Sequence, residues 1–275
     1  MAAPVAASGA VLILLAGCGS GGQQAAVPGA QQPQQRLSAG KAISLAASQA
    51  RHVNSYALSL HTRSTGIAST NTSGAIQIRL KPSLLGEVSL HLSVGGHALP
   101  VDEIVTSDAL YLKLPALGTV TSKPWIKISG SELRKGPGAV IGQMLQGFQN
   151  ANPLAQTSML TASKDLREVG TETINGVQTT HYTGSYTIAA AIAKLPSALR
   201  SLSGPVLKSM GIKTVHFDTW IDGQHQLRKI VTREAGRGVR ITSTVLITAI
   251  NQPVSIKLPP PSQVAAAPAG LGGLG

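Results

Sequence analysis

Apolar and polar residues alternate one by one through long stretches of this chain, and no other feature restricts its fold more. Successive side chains of a strand point to opposite faces, so such alternation demands sheets with one buried face. Tyr56, Leu58 and Leu60 alternate with Ala57, Ser59 and His61, and Ile76, Ile78 and Leu80 with Gln77 and Arg79. Val88, Leu90, Leu92 and Val94 alternate with Glu87, Ser89, His91 and Ser93. Ile104 and Val105 follow, then Leu110, Leu112 and Leu114 against Tyr111 and Lys113. Short turns at Gly95-Gly96 and Ser107-Asp108 separate these runs, which predicts an antiparallel meander.

The pattern resumes later in the chain. Lys123-Pro124-Trp125-Ile126-Lys127-Ile128 reads as an edge segment. Residues 166–174 and 177–187 flank Asn175-Gly176, the strongest short hairpin signal present. Residues 215–221, 227–232 and 239–250 supply three more strands, the first two joined around Asp222-Gly223. Three helical stretches interrupt the strands. Ser38 caps a helix to about His52 with a narrow stripe of Ala42, Ile43, Ala46, Ala47, Ala50 and Val53. Val140, Ile141, Met144, Leu145 and Phe148 fall at helical spacing before Asn152-Pro153. Ile188, Ile192, Leu195, Leu199 and Leu202 follow a four-three spacing that Pro196 interrupts, which predicts a kinked or two-part helix. The sum is an α+β chain of about ten to eleven antiparallel strands, with helices packed on the concave face of a curved sheet.

The N-terminus carries a different signal. Val11-Leu-Ile-Leu-Leu15 is a short apolar run followed by Ala16, Gly17 and Cys18. It is too short for a permanent transmembrane helix, which needs roughly 20 apolar residues, and reads as a signal peptide over residues 1–17. Leu15-Ala16-Gly17-Cys18 resembles the bacterial lipobox. That resemblance implies lipidation of Cys18, a membrane anchor through the attached acyl chains, palmitate among them, and an extracytoplasmic location. Residues 1–8 hold no Lys or Arg, so either the start lies upstream or the signal is weak. Gly17, Gly19 and Gly22 match a dinucleotide-binding spacing, but no strand precedes them and no βαβ unit surrounds them. Residues 18–35, rich in Gly, Gln, Ala and Pro, read as a flexible tether, and residues 261–275 as a disordered tail.

Lys and Arg outnumber Asp and Glu by 23 to 11. For an exported chain this excess serves either solvation or contact with anionic head groups rather than nucleic acid. Arg228, Lys229, Arg233, Arg237 and Arg240 gather near one hairpin and are the candidates for that contact. The single cysteine excludes an internal disulfide and a cysteine zinc cluster. His52, His61, His91, His97, His181, His216 and His225 lack metal-site spacing, and the nucleophile elbow and the Walker loop are both missing. The sequence therefore offers no catalytic residue, no metal ligand set and no cofactor site.

An ordered set of motifs resembles the mycobacterial LppX/LprG-type lipoproteins, relatives of the LolA and LolB carriers. These are the lipobox at Cys18, Val53-Asn54-Ser55-Tyr56, Lys123-Pro124-Trp125-Ile126, Val177-Gln178-Thr179-Thr180-His181-Tyr182, Trp220-Ile221-Asp222 with Leu227-Arg228-Lys229, and Asn251-Gln252-Pro253-Val254-Ser255-Ile256. The resemblance spans most of residues 36–260. It implies a half-barrel around a hydrophobic cavity that carries or presents lipids or glycolipids in an actinobacterial envelope, without catalysis, as a monomer and with an envelope transporter as a possible partner. Aromatics make up only 3% of the chain, so the wall of such a cavity is aliphatic, which suits acyl chains.

Leu58, Leu60, Ile76, Ile78, Leu90, Leu92, Leu110 and Leu112 are the candidate lining residues, and Ile192, Leu195 and Leu199 are candidates for lining or for a lid. The same positions also suit an ordinary filled core. In that case the chain is an envelope interaction or sensor lipoprotein whose outer face meets a protein partner. Trp125 and Trp220 mark either a rim or buried anchors in the sheet.

Overall fold

Helix α1, Ala39–Ala50, begins where the Ser38 side chain accepts a hydrogen bond from the Lys41 backbone N–H at 3.4 Å. Its stripe of Ala42, Ile43, Ala46, Ala47 and Ala50 is buried, and so many small side chains let the helix sit close against the 3-10 helix Pro153–Ala162. The computed structural model describes residues 37–66, 69–115, 118, 121–132, 153–194, 211–236 and 238–267. They belong to one compact unit that starts at Leu37. Cys18, the signal peptide, the tether, the helix expected over 140–148, Leu195, Leu199 and Arg237 lie outside the described residues.

The alternating runs form strands as expected. The meander is β1 (Ser55–Thr65), β2 (Thr70–Arg79), β3 (Leu85–Val94), β4 (His97–Thr106), β5 (Ala109–Lys113) and β6 (Trp125–Ser129). The later strands are β7 (Arg167–Ile174), β8 (Val177–Thr187), β9 (Thr214–Asp222), β10 (Leu227–Gly236) and β11 (Val239–Ile250). Asn175 and Gly176 turn the β7–β8 hairpin with φ of 49° and 78°, the left-handed pair that matches strand twist in a two-residue turn. Helix α2, Ile188–Lys194, follows β8, and a 3-10 helix, Pro153–Ala162, precedes β7. Pro153 starts that 3-10 helix, a segment the helical periodicity does not reveal.

Among the described residues all strands, with a short β12 (Val264–Ala266), join one sheet in the order β12-β6-β5-β4-β3-β2-β1-β11-β10-β9-β8-β7. This corrects the expected curved antiparallel half-barrel of ten to eleven strands with helices on its concave face. The order has two free ends, so the sheet is open, and it is not strongly curled either. It is also mixed, because β12 (Val264–Ala266) pairs parallel with β6. Closure requires the two end strands to pair. Here one end strand has three residues, and the other breaks register between Glu168 and Gly170 and exposes Arg167, Glu168 and Glu172. Charges and bulges of this kind resist further pairing.

Two further expectations change. The segment at Lys123–Ile128 is not the edge, since β12 covers it and the Lys123 ammonium donates to the Val264 carbonyl at 2.9 Å. Residues 261–266 form a 3-10 turn, Pro261–Gln263, and strand β12, where composition suggests no structure. The pairing of β1 with β11 joins two of the quoted motifs. The Asn54 backbone N–H donates to the Asn251 side chain at 2.7 Å, and the Ser55 hydroxyl to the Gln252 carbonyl at 2.7 Å.

Asp165 fastens the approach to β7 onto β8. Its carboxylate accepts the Ser185 backbone N–H and hydroxyl, each at 2.7 Å, and the Ser163 hydroxyl at 2.9 Å. The Ser185 hydroxyl and backbone N–H lower its pKa to about 2. The folded value is depressed, so this stabilisation is present above the ordinary carboxylate range and is lost as pH falls through about 2. Because the group is exposed, Asp165→Ala is expected to cost only about 1 kcal/mol at pH 7. Urea unfolding of both proteins should show that difference closing as pH approaches 2.

Candidate functional site

Register decides which side chains share a face, because residues opposite one another in an antiparallel pair point the same way. Leu58 of β1, Ile76 of β2, Val88 of β3, Glu103 of β4 and Leu112 of β5 stand in one cross-strand row. Tyr56, Ile78, Gly86, Val105 and Leu110 form the row on one side of it, and Leu60, Gly74, Leu90 and Val101 the row on the other. Leu92 lies one step further, opposite Thr72 and Leu99. All eight strand candidates therefore share one face across β1, β2, β3 and β5.

Two glycines on that face are covered by their neighbours. A Cβ at Gly74 would come within 2.7 Å of Leu90 Cδ2, and one at Gly86 within 2.8 Å of Val105 Cγ1. The neighbouring aliphatic side chains thus lie across the two glycines.

The same face has two different halves. Over β8–β11, α1, α2 and the 3-10 helix close a packed cluster of Ala42, Ile43, Leu160, Ile188, Ala191, Ile192, Tyr182, Tyr186, Val215, Phe217 and Ile221. Ile192 belongs to this closed cluster, apart from the eight strand candidates. A second cluster at the C-terminal end of α1 brings Ala50, Val53, Tyr56, Ile78, Leu84, Leu227, Ile247 and Ile250 together, with Leu58 and Ile76 against it. Beyond that, burial slackens over β1–β3 and returns at β5 and β6, where Leu110 and, opposite Leu112, Ile126 are buried. Ile78 and Leu110 are buried, whereas Leu58, Leu60, Ile76, Leu90, Leu92 and Leu112 are only half-buried.

Two carboxylates interrupt the apolar face. Glu103 sits between Val88 and Leu112, and Glu234 between Val215 and Ile241. Burial pushes the pKa of both upward. Neither was singled out in the sequence, although counting by twos along β4 puts Glu103 in phase with Val101 and Val105. Burial likewise raises the Tyr56 and Tyr186 hydroxyls above the usual phenol range.

On the opposite face, polar groups bond to one another around a small apolar cluster of Ile174, Trp220, Val231 and Leu246. Trp220 is buried with the His181 ring stacked on it at 4.4 Å between centroids and Lys229 Nζ 4.2 Å from its centroid. Its indole N–H donates to Glu172 at 2.6 Å, and His181 Nε2 lies 3.0 Å from Asp218. Trp220 is thus an anchor in the sheet. Trp125 is half-buried beside Lys113. The candidate basic cluster is largely occupied: Arg228 pairs with Asp222 at 2.7 Å, Lys229 covers Trp220, and Arg233 pairs with Asp218.

Among the described residues no three His, Cys, Asp or Glu side chains gather where they could hold a metal. No helix among them is long and apolar enough to cross a membrane. Next to the second cluster, a void of about 10 Å³ touches Ala46, Gln49, Ala50, Val53, Gln226, Leu227 and Ile250, room for at most one water.

No family model matches the chain. An uncharacterized 31.2 kDa protein of Streptomyces griseus is 31% identical over 126 residues, which cover 45% of this chain and 41% of that protein. The match therefore spans less than half of that relative's length. Among solved structures, LprF from Mycobacterium bovis superposes with a TM-score of 0.48 at 11% identity, covering 80% of this chain and 96% of that one. The lipoprotein LppX from Mycobacterium tuberculosis gives 0.45 at 18% identity, covering 80% and 98%. At these identities and scores the functional reading rests on the chain's own residues.

Proposed function

We propose that the chain is an extracytoplasmic lipoprotein, anchored through Cys18 and the 18–35 tether, whose apolar sheet face over β1–β5 binds the acyl chains of envelope lipids. One observation carries this reading: a half-buried aliphatic face continues the helix-covered one across the sheet, with its side chains laid over Gly74 and Gly86. Acyl chains that leave water for such a face gain about 0.8 kcal/mol per buried methylene, so a chain of ordinary length needs no catalytic chemistry to bind. The lining residues are Leu58, Leu60, Ile76, Ile78, Leu90, Leu92, Leu110 and Leu112. Ile192 stabilises the covered half.

Leu90→Trp and Leu112→Trp test the assignment. On an open acyl-binding face the indole takes the ligand's place, so binding of a fluorescent acyl probe is lost while the thermal midpoint holds. On a filled core the same substitutions overpack and cost about 1 to 3 kcal/mol. That second outcome contradicts the proposal.

A further inference from the structure

Strand register gathers cations that stand far apart in the sequence. On the face opposite the aliphatic one, His216, Arg233, Thr242, Arg63 and Asn71 form one cross-strand row over β9, β10, β11, β1 and β2. Arg233 and Arg63 flank Thr242 and stand two strands apart, about 10 Å. Arg240 is two residues before Thr242 on the same face of β11, about 7 Å along the strand, and His61 lies two residues from Arg63 on β1. All of these cationic and imidazole side chains are exposed.

Carboxylates leave two of the arginines unmatched. His181 and Arg233 occupy the two oxygens of Asp218, and Asp165, beside Ser185 at the β8 end of the row, is held by Ser163 and Ser185. Every Asp and Glu of the chain lies among the described residues, and none pairs with Arg63 or Arg240. Two such arginines with no anion between them build a local positive potential. The sheet is open and not strongly curled, so these charges spread over a broad surface instead of lining a pocket. A small anion would meet one arginine at a time, whereas a plane of anionic groups meets them together.

We propose that this face is a docking surface for an anionic phospholipid bilayer, with Arg63 and Arg240 as its main contacts and Arg233, His61 and His216 beside them. The proposal rests on the extracytoplasmic lipoprotein reading, which keeps the chain beside a membrane. It departs from the hairpin cluster of the sequence, because Asp222 and Trp220 take up Arg228 and Lys229, while Arg63 joins from a strand near the other end of the chain. Docked through this face, the protein turns its aliphatic face away from the bilayer, so a bound acyl lipid is presented outward.

Co-sedimentation of the full chain carrying Cys18→Ser with phosphatidylcholine vesicles, with and without phosphatidylglycerol, tests the surface. Vesicles of phosphatidylcholine alone measure what the apolar N-terminal run contributes. Binding is expected to rise with phosphatidylglycerol and to fall steeply as salt increases to about 0.5 M, where the screening length is about 4 Å. Arg63→Gln and Arg240→Gln should each weaken it about fivefold, and together about thirtyfold. Lys41→Gln with Lys194→Gln removes the same charge from α1 and α2, which cover the other face, and should change binding less than about twofold. Equal losses in the two pairs assign binding to net charge and overturn the proposal, as does binding that ignores salt or phosphatidylglycerol. Neither arginine lies on the aliphatic face, so uptake of the acyl probe should be the same in every variant, and failure of vesicle binding leaves the acyl-binding reading standing.

Discussion

Phe217→Ala is expected to lower the unfolding free energy by about 3 to 5 kcal/mol, read as a lower urea midpoint with an unchanged slope. Phe217 has no exposed surface, and it stands on β9 beneath the helices of the covered half. Its ring centroid lies 5.8 Å from that of Tyr186, and a Cβ at Gly184 would meet its Cζ at 3.0 Å. The ring therefore crosses the β8 backbone at the one residue without a side chain. Truncation leaves a hole that neither the sheet nor α1 can collapse into, because the facing residues of α1 are already alanines and one isoleucine. If this half anchors the fold, the loss should appear in stability, and Leu112→Trp in the other half should leave the midpoint in place.

Asp222→Ala carries the second large effect, a loss of about 3 kcal/mol and a fall in thermal midpoint of roughly 6 to 12 °C. The Asp222 side chain is only 3% exposed. One oxygen accepts the backbone N–H groups of Gln224 and Gln226, each at 2.9 Å, and the other accepts Arg228 Nε at 2.7 Å. Removing it strips both turn donors of their acceptor and leaves a largely buried guanidinium uncompensated. Asp222→Asn keeps an acceptor for the turn and loses the charge, so it should cost less. Thermal unfolding of the two variants separates the contributions, and equal losses would contradict this division.

Much of the local structure was legible in the sequence, and the reasons are physical. A period of two fixes which side chains share a face, so the eight candidates from Leu58 to Leu112 fall together however the strands are ordered. Asn175-Gly176 fixes its hairpin because both residues accept positive φ. Ser38 and the alanine stripe mark α1. What was not legible depends on partners distant in the chain. The β1–β11 pairing joins residues almost two hundred positions apart, and no local pattern encodes it. Whether a large sheet closes depends on its end strands, and neither the three residues of β12 nor the broken register of β7 stands out among stronger alternating runs. The parallel addition of β12 lies in a segment whose composition resembles a tail. Glu103 was hidden by the adjacent Ile104 and Val105, which drew the apolar count out of phase with the strand.

The motifs that carry the lipoprotein resemblance also gain a physical account. Asn54-Ser55 and Asn251-Gln252 lock the β1–β11 pair, Lys123 holds β12, and Asp222 with Arg228 holds the β9–β10 turn. They are joints of the scaffold.

On the proposed reading the half-buried face over β1–β5 holds acyl chains. Its most direct test is native mass spectrometry of the full chain carrying Cys18→Ser, with organic extracts of the same preparation analysed for lipid. A bound species of acyl-lipid mass is expected, which Leu90→Trp removes without unfolding the protein. A chain that emerges free of lipid and takes up no acyl probe would contradict it.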